Sequence, residues 1–454
     1  MNMVTMDKLV SLCKRRGFIY AGSEIYGGLA NSWDYGPMGA QLKKNLKDSW
    51  WRYFVEKRRD MVGLDAAIIM NPKTWVASGH TATFNDPLVE DIKTNKRYRA
   101  DHLLEEALGI STSGMSVEKM AELIREHKLK SPDGNELSEP RQFNLMFETK
   151  LGPTQTDESK VYLRPETAQG IFVNFKNVLD SNRVRLPFGI GQIGKAFRNE
   201  ITPGNFTFRT LEFEQMEVEY FVEGEKWESA FADWVEVMES WGKRIGLDPN
   251  LLHRYEVPAE DLAHYSKRTI DFEYDFPFGR KELWGLAYRT DFDLTSHEQA
   301  SGERLSYTDP NDNKIKFIPH VVEPSFGVDR TLLALLATAY AEEEVAPGDV
   351  RVVLRFVPEI APVQVCVLPL VKKDELVPLA EDVYAKLVEA GLRTDYDDGG
   401  SVGKRYRRQD EVGTPYCVTV DFDSLEDQSV TIRFRDSMEQ KRVKIEELVS
   451  ELML

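Results

Sequence analysis

The sequence predicts an α+β architecture with an antiparallel hairpin at its centre, followed by a smaller α/β unit. Three observations predict it. From Phe188 to Val222 the residues alternate with period two on either side of a turn. In the last ninety or so residues, short apolar strands alternate with helical patterns. Between these regions Pro347-Gly348, Pro358 and Pro362 break the pattern and mark a boundary near residue 357.

In chain order, LKKNLKDSWWRYFVEKRRDMV (42–62) carries Trp50, Phe54 and Met61 at helical spacing, and AAIIM then reads as a short strand running into Asn71-Pro72. The stretch from Thr83 to Pro140 is charged and broken and reads as an insertion. A second one is expected at about 222–262, where Glu223–Leu247 is helical, acidic and rich in tryptophan. Aromatic-rich strands occupy 268–330 and a helix is predicted over Thr331–Ala341. Beyond the boundary, VQVCVLPLV, RTDYDD, YCVTVDF and VTIRFRD read as strands. LVPLAEDVYAKLVEAG, the segment from Ser401 to Arg408, and VKIEELVSELM read as helices.

Length and composition narrow the function class. A chain of 454 residues holds two or three domains. No apolar run reaches the roughly 20 residues a bilayer span needs, and the first residues show no export signal. Neither a membrane nor an exported setting is therefore expected. Three scattered cysteines make neither a disulfide framework nor a cysteine-only zinc site, and a reducing cytoplasm fits them. A net charge of −17 opposes non-specific nucleic-acid binding, DNA included. One local exception is KRYRR at 404–408, which taken alone reads first as a solvated helix face.

FGIGQIG contains a literal G-x-G-x-x-G at Gly189, Gly191 and Gly194. A dinucleotide-binding turn requires a long helix starting among those glycines. Here Pro203-Gly204 follows too soon, and the sequence beyond alternates as a strand. Leu211, Phe213, Gln215, Glu217 and Glu219 take one face; Glu212, Glu214, Met216 and Val218 take the other. The expectation is strand, eight-residue turn, strand. The hairpin concentrates Arg198, Glu200, Arg209, Glu212 and Glu217. Cross-strand ion pairing explains such a cluster, and so does a platform presenting guanidinium groups to phosphate.

FRNE (197–200) with RTLEFEQME (209–217) resembles motif 2 of the class II aminoacyl-tRNA synthetases, and EPSFGVDR (323–330), running into TLLALL, resembles motif 3. The helix and strand up to Pro72 are a looser match to motif 1, a dimer-interface element. Class I signatures are absent. WDYGPMGAQLKKNL, YRADH, YLRPETAQGIFVNF, LAYRTDFDLTSH and EPSFGVDR resemble the homodimeric glycyl type of the class, and GKRYRRQDEVGTPYCVTVD resembles its anticodon-binding domain. The resemblance implies a class II catalytic domain over 1–357, an antiparallel sheet flanked by helices. Its motifs fall at about 42–72, 186–221 and 321–341, with insertions at about 83–158 and 222–262. An anticodon-binding domain with a mixed sheet follows over 358–454.

It further implies that ATP and glycine are joined as glycyl-adenylate and glycine is passed to the 3′ end of tRNA(Gly), with Mg2+ required and a homodimer as the working unit. Arg198 would hold the α-phosphate, Arg330 the γ-phosphate, and Phe213 would stack on adenine. Asn199, Glu200, Phe208, Arg209, Thr210, Leu211, Glu212, Glu282, Leu283, Gly327, Val328 and Asp329 complete the implied ATP site, with Glu282 also a candidate Mg2+ ligand. Asp329 stands where the motif often has glutamate. Glycine has no side chain to grip, so its ammonium needs carboxylates and larger amino acids must meet a rigid wall. Glu166, Glu217 and Glu323 are the acids selected, with Ser325, Arg99, Phe213, Gln215 and Gly327. Lys404, Arg405, Arg407 and Arg408 are the residues offered to tRNA, unless Asp397, Asp398 or Asp410 engage them. His80, His102, His264 and His297 read as packing or hydrogen-bonding residues. The alternatives are a prolyl or threonyl ligase of the same subclass, and a non-catalytic tRNA-binding relative.

Overall fold

A computed structural model describes residues 4–112, 114–153, 159–201, 204–312 and 314–452. The larger part is a seven-stranded sheet. In chain order its elements and the helices packed on it are α1 (Pro37–Trp51), β1 (Met61–Gly63), β2 (Phe188–Phe197), β3 (Glu212–Val222), α2 (Trp227–Ile245), β4 (Leu252–Glu256), β5 (Arg268–Phe276), β6 (Gly279–Thr290), α3 (Phe292–Ser301), β7 (His320–Gly327) and α4 (Val328–Ala339). The spatial order is β4–β5–β6–β7–β3–β2–β1. All neighbours are antiparallel except β1 and β2.

Period-two alternation gives this sheet two unlike faces. Met216, Val218 and Tyr220 of β3 join Phe272, Trp284 and Phe326 in the main core, together with Trp50, Phe54, Trp234 and Trp241 from the helices. Helix α2 is therefore not peripheral, although its segment reads as an insertion; its tryptophan stripe is core. Phe54 stacks on Trp234 with ring centroids 5.8 Å apart. The other face runs in register across five strands as Gln192, Glu217, Ser325, Gly285 and Asp271.

The three glycines make room for packing on β2. A Cβ on Gly189 would lie 2.4 Å from Met61 Sδ, one on Gly191 2.8 Å from Val55 Cγ2, and one on Gly194 2.1 Å from Arg164 Nη2. The connection from β2 to β3 runs over Arg198–Leu211, longer than the expected eight residues. A short helical turn, Phe206–Phe208, lengthens it and packs Phe206 against Trp33 at 4.6 Å. Pro203 lies outside the described residues. The strand expected at AAIIM is replaced by β1 further upstream. After Gly63 the chain leaves the ladder: the Ala66 amide donates to the Gln192 side chain, and only Ile69 forms a bridge, to Leu163.

Within the first expected insertion, strands Asn85–Glu90, Arg97–Arg99 and Arg141–Asn144 pair, and helices Ala100–Leu108 and Val117–Glu126 flank them. Val89, Leu104, Met120 and Ile124 give it a small core of its own. Pro347-Gly348 forms the turn of a hairpin between Tyr340–Ala346 and Asp349–Leu354.

The C-terminal part comprises β8 (Val365–Pro369), α5 (Val377–Glu389), β9 (Thr394–Tyr396), α6 (Val402–Val412), β10 (Tyr416–Val420), β11 (Ser429–Phe434), β12 (Gln440–Lys444) and α7 (Leu448–Leu452). Its sheet is mixed, with β8 parallel to β9 and β10 and the remaining pairs antiparallel. The sequence pattern misses β12. Its residues are mostly charged and exposed, with Val443 alone turned into the core, as suits an edge strand.

Candidate active site

The polar face of the large sheet floors a cleft of about 380 Å3. Its wall on one side is the β2–β3 connection, and its far end is the junction of β7 and α4. Arg198 and Arg330, 132 positions apart in sequence, both line it. So do Glu200, Phe208, Arg209, Thr210, Phe213, Glu282, Leu283, Gly327 and Asp329, together with Glu166, Gln215, Glu217, Glu323 and Ser325.

Five expected residues are elsewhere. Asn199 is fixed through its backbone amide to the Leu145 carbonyl. Leu211 accepts the Arg198 amide and lines a neighbouring pocket together with Glu212, whose carboxylate pairs with Lys195. Val328 is buried in the main core. Arg99 is withdrawn from the glycine set: its guanidinium is held by Asp86 at 3.1 Å and by Asp101.

At one end of the cleft Arg198 is preorganised. Its Nε donates to the Pro165 carbonyl at 3.1 Å, and its guanidinium lies 5.3 Å from the Phe84 ring and 5.4 Å from the Phe213 ring. Its terminal nitrogens take no hydrogen-bond partner among the described residues. Arg330 lies 4.5 Å over the Phe208 ring and donates to the Phe208 and Glu282 carbonyls; its Nη1 is 3.0 Å from a Glu282 carboxylate oxygen. That pair is partly exposed, so an anionic ligand can replace the carboxylate. Asp329 turns the other way, accepting from Lys43 and from the Glu214 amide, both at 2.8 Å, and so anchors the start of α4 to β3.

Beside Arg198 lies a buried acid pocket, since Pro165, whose carbonyl holds the guanidinium, runs directly into Glu166. Glu217 accepts from Ser325 Oγ at 2.8 Å and from Thr167 Oγ1. Glu166 accepts from Gln169 at 3.0 Å and sits 3.5 Å from His80 Nε2. Burial opposes its charge, but His80, Arg289 and Gln169 outweigh burial and hold its carboxyl well below the ordinary range. Burial first, and then the charge of Glu166, raise the Glu217 carboxyl. Glu323 is pushed up to about 8, chiefly by burial, with Arg289 opposing and Glu217 and Glu166 adding to the rise.

The organising cation is Arg289, 1 % exposed, which the sequence reading passed over. It donates to Asp293 through Nε and Nη2 and to Glu323 through Nη1, at 2.8–2.9 Å. Its face lies 3.8 Å from the Tyr265 ring. RTDFD places an Asp four residues after the Arg, but the pair spans a strand-to-helix corner, so helical spacing does not announce it. Asp271, also missed, lines the cleft beside Glu282; its carboxyl is pushed up to about 7 by burial, then by Glu282 and Glu273.

Residues 147–339 match the tRNA synthetase class II core domain (G, H, P, S and T), and residues 364–453 match the anticodon binding domain. The chain is 53% identical to a glycine–tRNA ligase of Bacillus anthracis over 453 residues, 98% of each chain. It is 55% identical to one of Clostridium acetobutylicum over 452 residues, 98% of this chain and 97% of the relative. The chain belongs to the glycine–tRNA ligase family. In this member of the glycine–tRNA ligase family the expected fold class holds in both parts, the antiparallel core and the mixed C-terminal sheet.

The basic cluster on α6 divides by burial. Arg405 is 2% exposed, with its guanidinium donating to the Pro369 and Gly400 carbonyls, so it is removed from the RNA-facing set. Arg408 is paired with Asp397 and Arg407 with Asp349. Lys404 is exposed and has no hydrogen-bond or ion-pair partner among the described residues.

Proposed function

We propose that this chain attaches glycine to the 3′ end of tRNA(Gly) through glycyl-adenylate, and that it does so as a homodimer, in the cytoplasm, with Mg2+. The observation that carries the reading is the convergence of Arg198 and Arg330 on one cleft that ends in the acid pocket of Glu166, Glu217 and Glu323. Glycine's ammonium lies among those carboxylates, and its carboxylate faces the α-phosphorus of ATP. That carboxylate is ionised at neutral pH, so no side-chain base is needed. Arg198 draws charge from the α-phosphate and Arg330 from the far end of the triphosphate, while Phe213 supports the adenine. In-line positioning and charge neutralisation do the chemistry. The carboxylate–phosphorus bond forms as pyrophosphate leaves; a tRNA ribose hydroxyl then takes the glycyl group and AMP departs. Gly285 leaves the cleft floor open, since a Cβ there would meet nothing within 4 Å.

Mg2+ would neutralise phosphate oxygens. The chain offers it Glu282 and Asp271, carboxylates that line the cleft side by side; burial first, and then Glu282 and Glu273, raise the Asp271 carboxyl, and a hard cation there would favour its charged form. On the C-terminal part, Lys404 is the exposed residue offered to tRNA. The buried, unbridged cysteines fit a reducing compartment, and no helix among the described residues is long and apolar enough to cross a membrane. Ile25, Tyr26 and Leu29 are exposed at 88%, 87% and 62% and suit a surface covered by a second copy. Sedimentation should give twice the chain mass; a monomer at micromolar concentration refutes the dimer.

Glycine-dependent ATP–pyrophosphate exchange tests the activity. Exchange driven by proline or threonine instead, or by no amino acid, refutes the reading. The acid pocket also sets a pH dependence. Burial raises the free Glu323 carboxyl to about 8, so it takes up a proton as pH falls through that value, and an arriving ammonium must displace that proton. Glycine KM should therefore fall as pH rises from 6 to 8, by at most about tenfold per unit. A flat profile of glycine KM over that window contradicts it.

A further inference from the structure

Behind the wall of the acid pocket lies a carboxyl that no contact accounts for. Glu219 follows Glu217 by two residues on β3 and so shares its face. It is 0% exposed, and neither carboxylate oxygen has a hydrogen-bond partner among the described residues. Oxygens of Glu217, Glu219 and Glu323 lie within 4.8 Å of one another. Glu217 and Glu323 line the cleft and Glu219 does not. The charged groups facing Glu219 are Glu217 from its own strand, Glu323 from β7, Arg289 from β6 and Asp293 from α3. Arg289 is the one cation in that set, and its side-chain hydrogen bonds go to Asp293 and Glu323 and none to Glu219. A bare carboxylate with both oxygens unsatisfied is strongly disfavoured in such surroundings. A protonated carboxyl is disfavoured far less, and its hydroxyl can donate to the carboxylates beside it.

We propose that Glu219 is a positioning residue for the amino-acid substrate: its carboxyl keeps a proton behind the cleft wall and offers that hydroxyl to the Glu217–Glu323 pair, leaving the pair free to face the ammonium. The inference rests on reading the acid pocket as the glycine site. Burial, and then the charge of Glu323, push the Glu219 carboxyl well above the ordinary range, in the same direction as the geometry. A neutral Glu219 removes one charge from a cluster of three mutually repelling acids and adds a donor to it. It also stiffens the wall. Glu217 is held by Ser325 and Thr167, and a hydroxyl donated by Glu219 would add a second restraint against its swinging aside for a larger amino acid.

Infrared difference spectra of the full-length protein and its Glu219→Gln variant at neutral pH should show a protonated-carboxyl band that the variant lacks. In the exchange assay, Glu219→Leu should raise glycine KM roughly tenfold while ATP KM stays within about twofold, and Glu219→Gln, which keeps a neutral donor, should restore glycine KM to within about threefold of wild type. If the leucine variant does not fold, the glutamine variant and the spectra decide. Glu217→Gln, measured alongside, separates two failures. An unmoved glycine KM in that variant sinks the glycine-site reading itself. A raised glycine KM there, with no infrared difference at Glu219, with no effect of Glu219→Leu, or with glutamine as harmful as leucine, overturns the role of Glu219 alone.

Discussion

Arg198→Ala should lower kcat/KM for glycine-dependent pyrophosphate exchange by about 10^2–10^3-fold, the loss typical of removing one preorganised donor from a developing oxyanion. The effect is large because the proposed reaction runs on positioning and charge neutralisation, with the nucleophile already ionised and no general base, and Arg198 is the cation assigned to the reacting phosphate. Arg198 is also held ready. Its Nε is committed to the Pro165 carbonyl and its plane is kept near Phe84 and Phe213, which leaves the outer nitrogens for phosphate. Arg198→Lys should fall between the two, since an ammonium restores charge without the planar fork. Stability should change little, because the side chain is partly exposed and makes one backbone hydrogen bond. A loss below about tenfold, with the fold intact, would place the α-phosphate elsewhere.

What the sequence made legible follows from how local each signal is. The sheet's two faces were readable from β3 alone, because strand alternation is a property of neighbouring residues. Arg198, Glu217, Glu323 and Arg330 were readable because each sits in a short block with a recognisable neighbourhood. Arg289 and Asp271 were not singled out. Arg289 matters through a contact with Glu323, 34 residues away. Asp271 matters through cross-strand burial beside Glu282. Register, not composition, creates both. The run KRYRR on α6, with four basic residues, misled in the opposite way. Helical periodicity sends Arg405 inward while Lys404 stays out, and a charge count cannot see that difference. The strand expected at AAIIM failed for a related reason. Its apolar residues fit a ladder, but the edge of the sheet is already taken by Met61–Gly63.

Arg289→Met should be the most destabilising single change near the cleft, at about 3–5 kcal/mol, the range for breaking a buried ion pair by removing one partner. The substitution keeps much of the volume but strands Asp293 and Glu323, both nearly inaccessible, beside the already unpartnered Glu219. Urea unfolding reads the loss, and the same variant should raise glycine KM more than ATP KM, because Glu323 loses the donor that aims it. A second substitution separates buried charge from lost packing. Arg289→Met combined with Asp293→Leu removes one of the two stranded carboxylates, so the pair should be more stable than the single variant by about 1–3 kcal/mol, the usual cost of an unsatisfied buried group. Glycine recognition should not return with that stability, since Glu323 remains without its guanidinium. If the double variant is no more stable than the single one, the network holds the fold by packing alone, and Arg289 loses its place as the charge that organises the acid pocket.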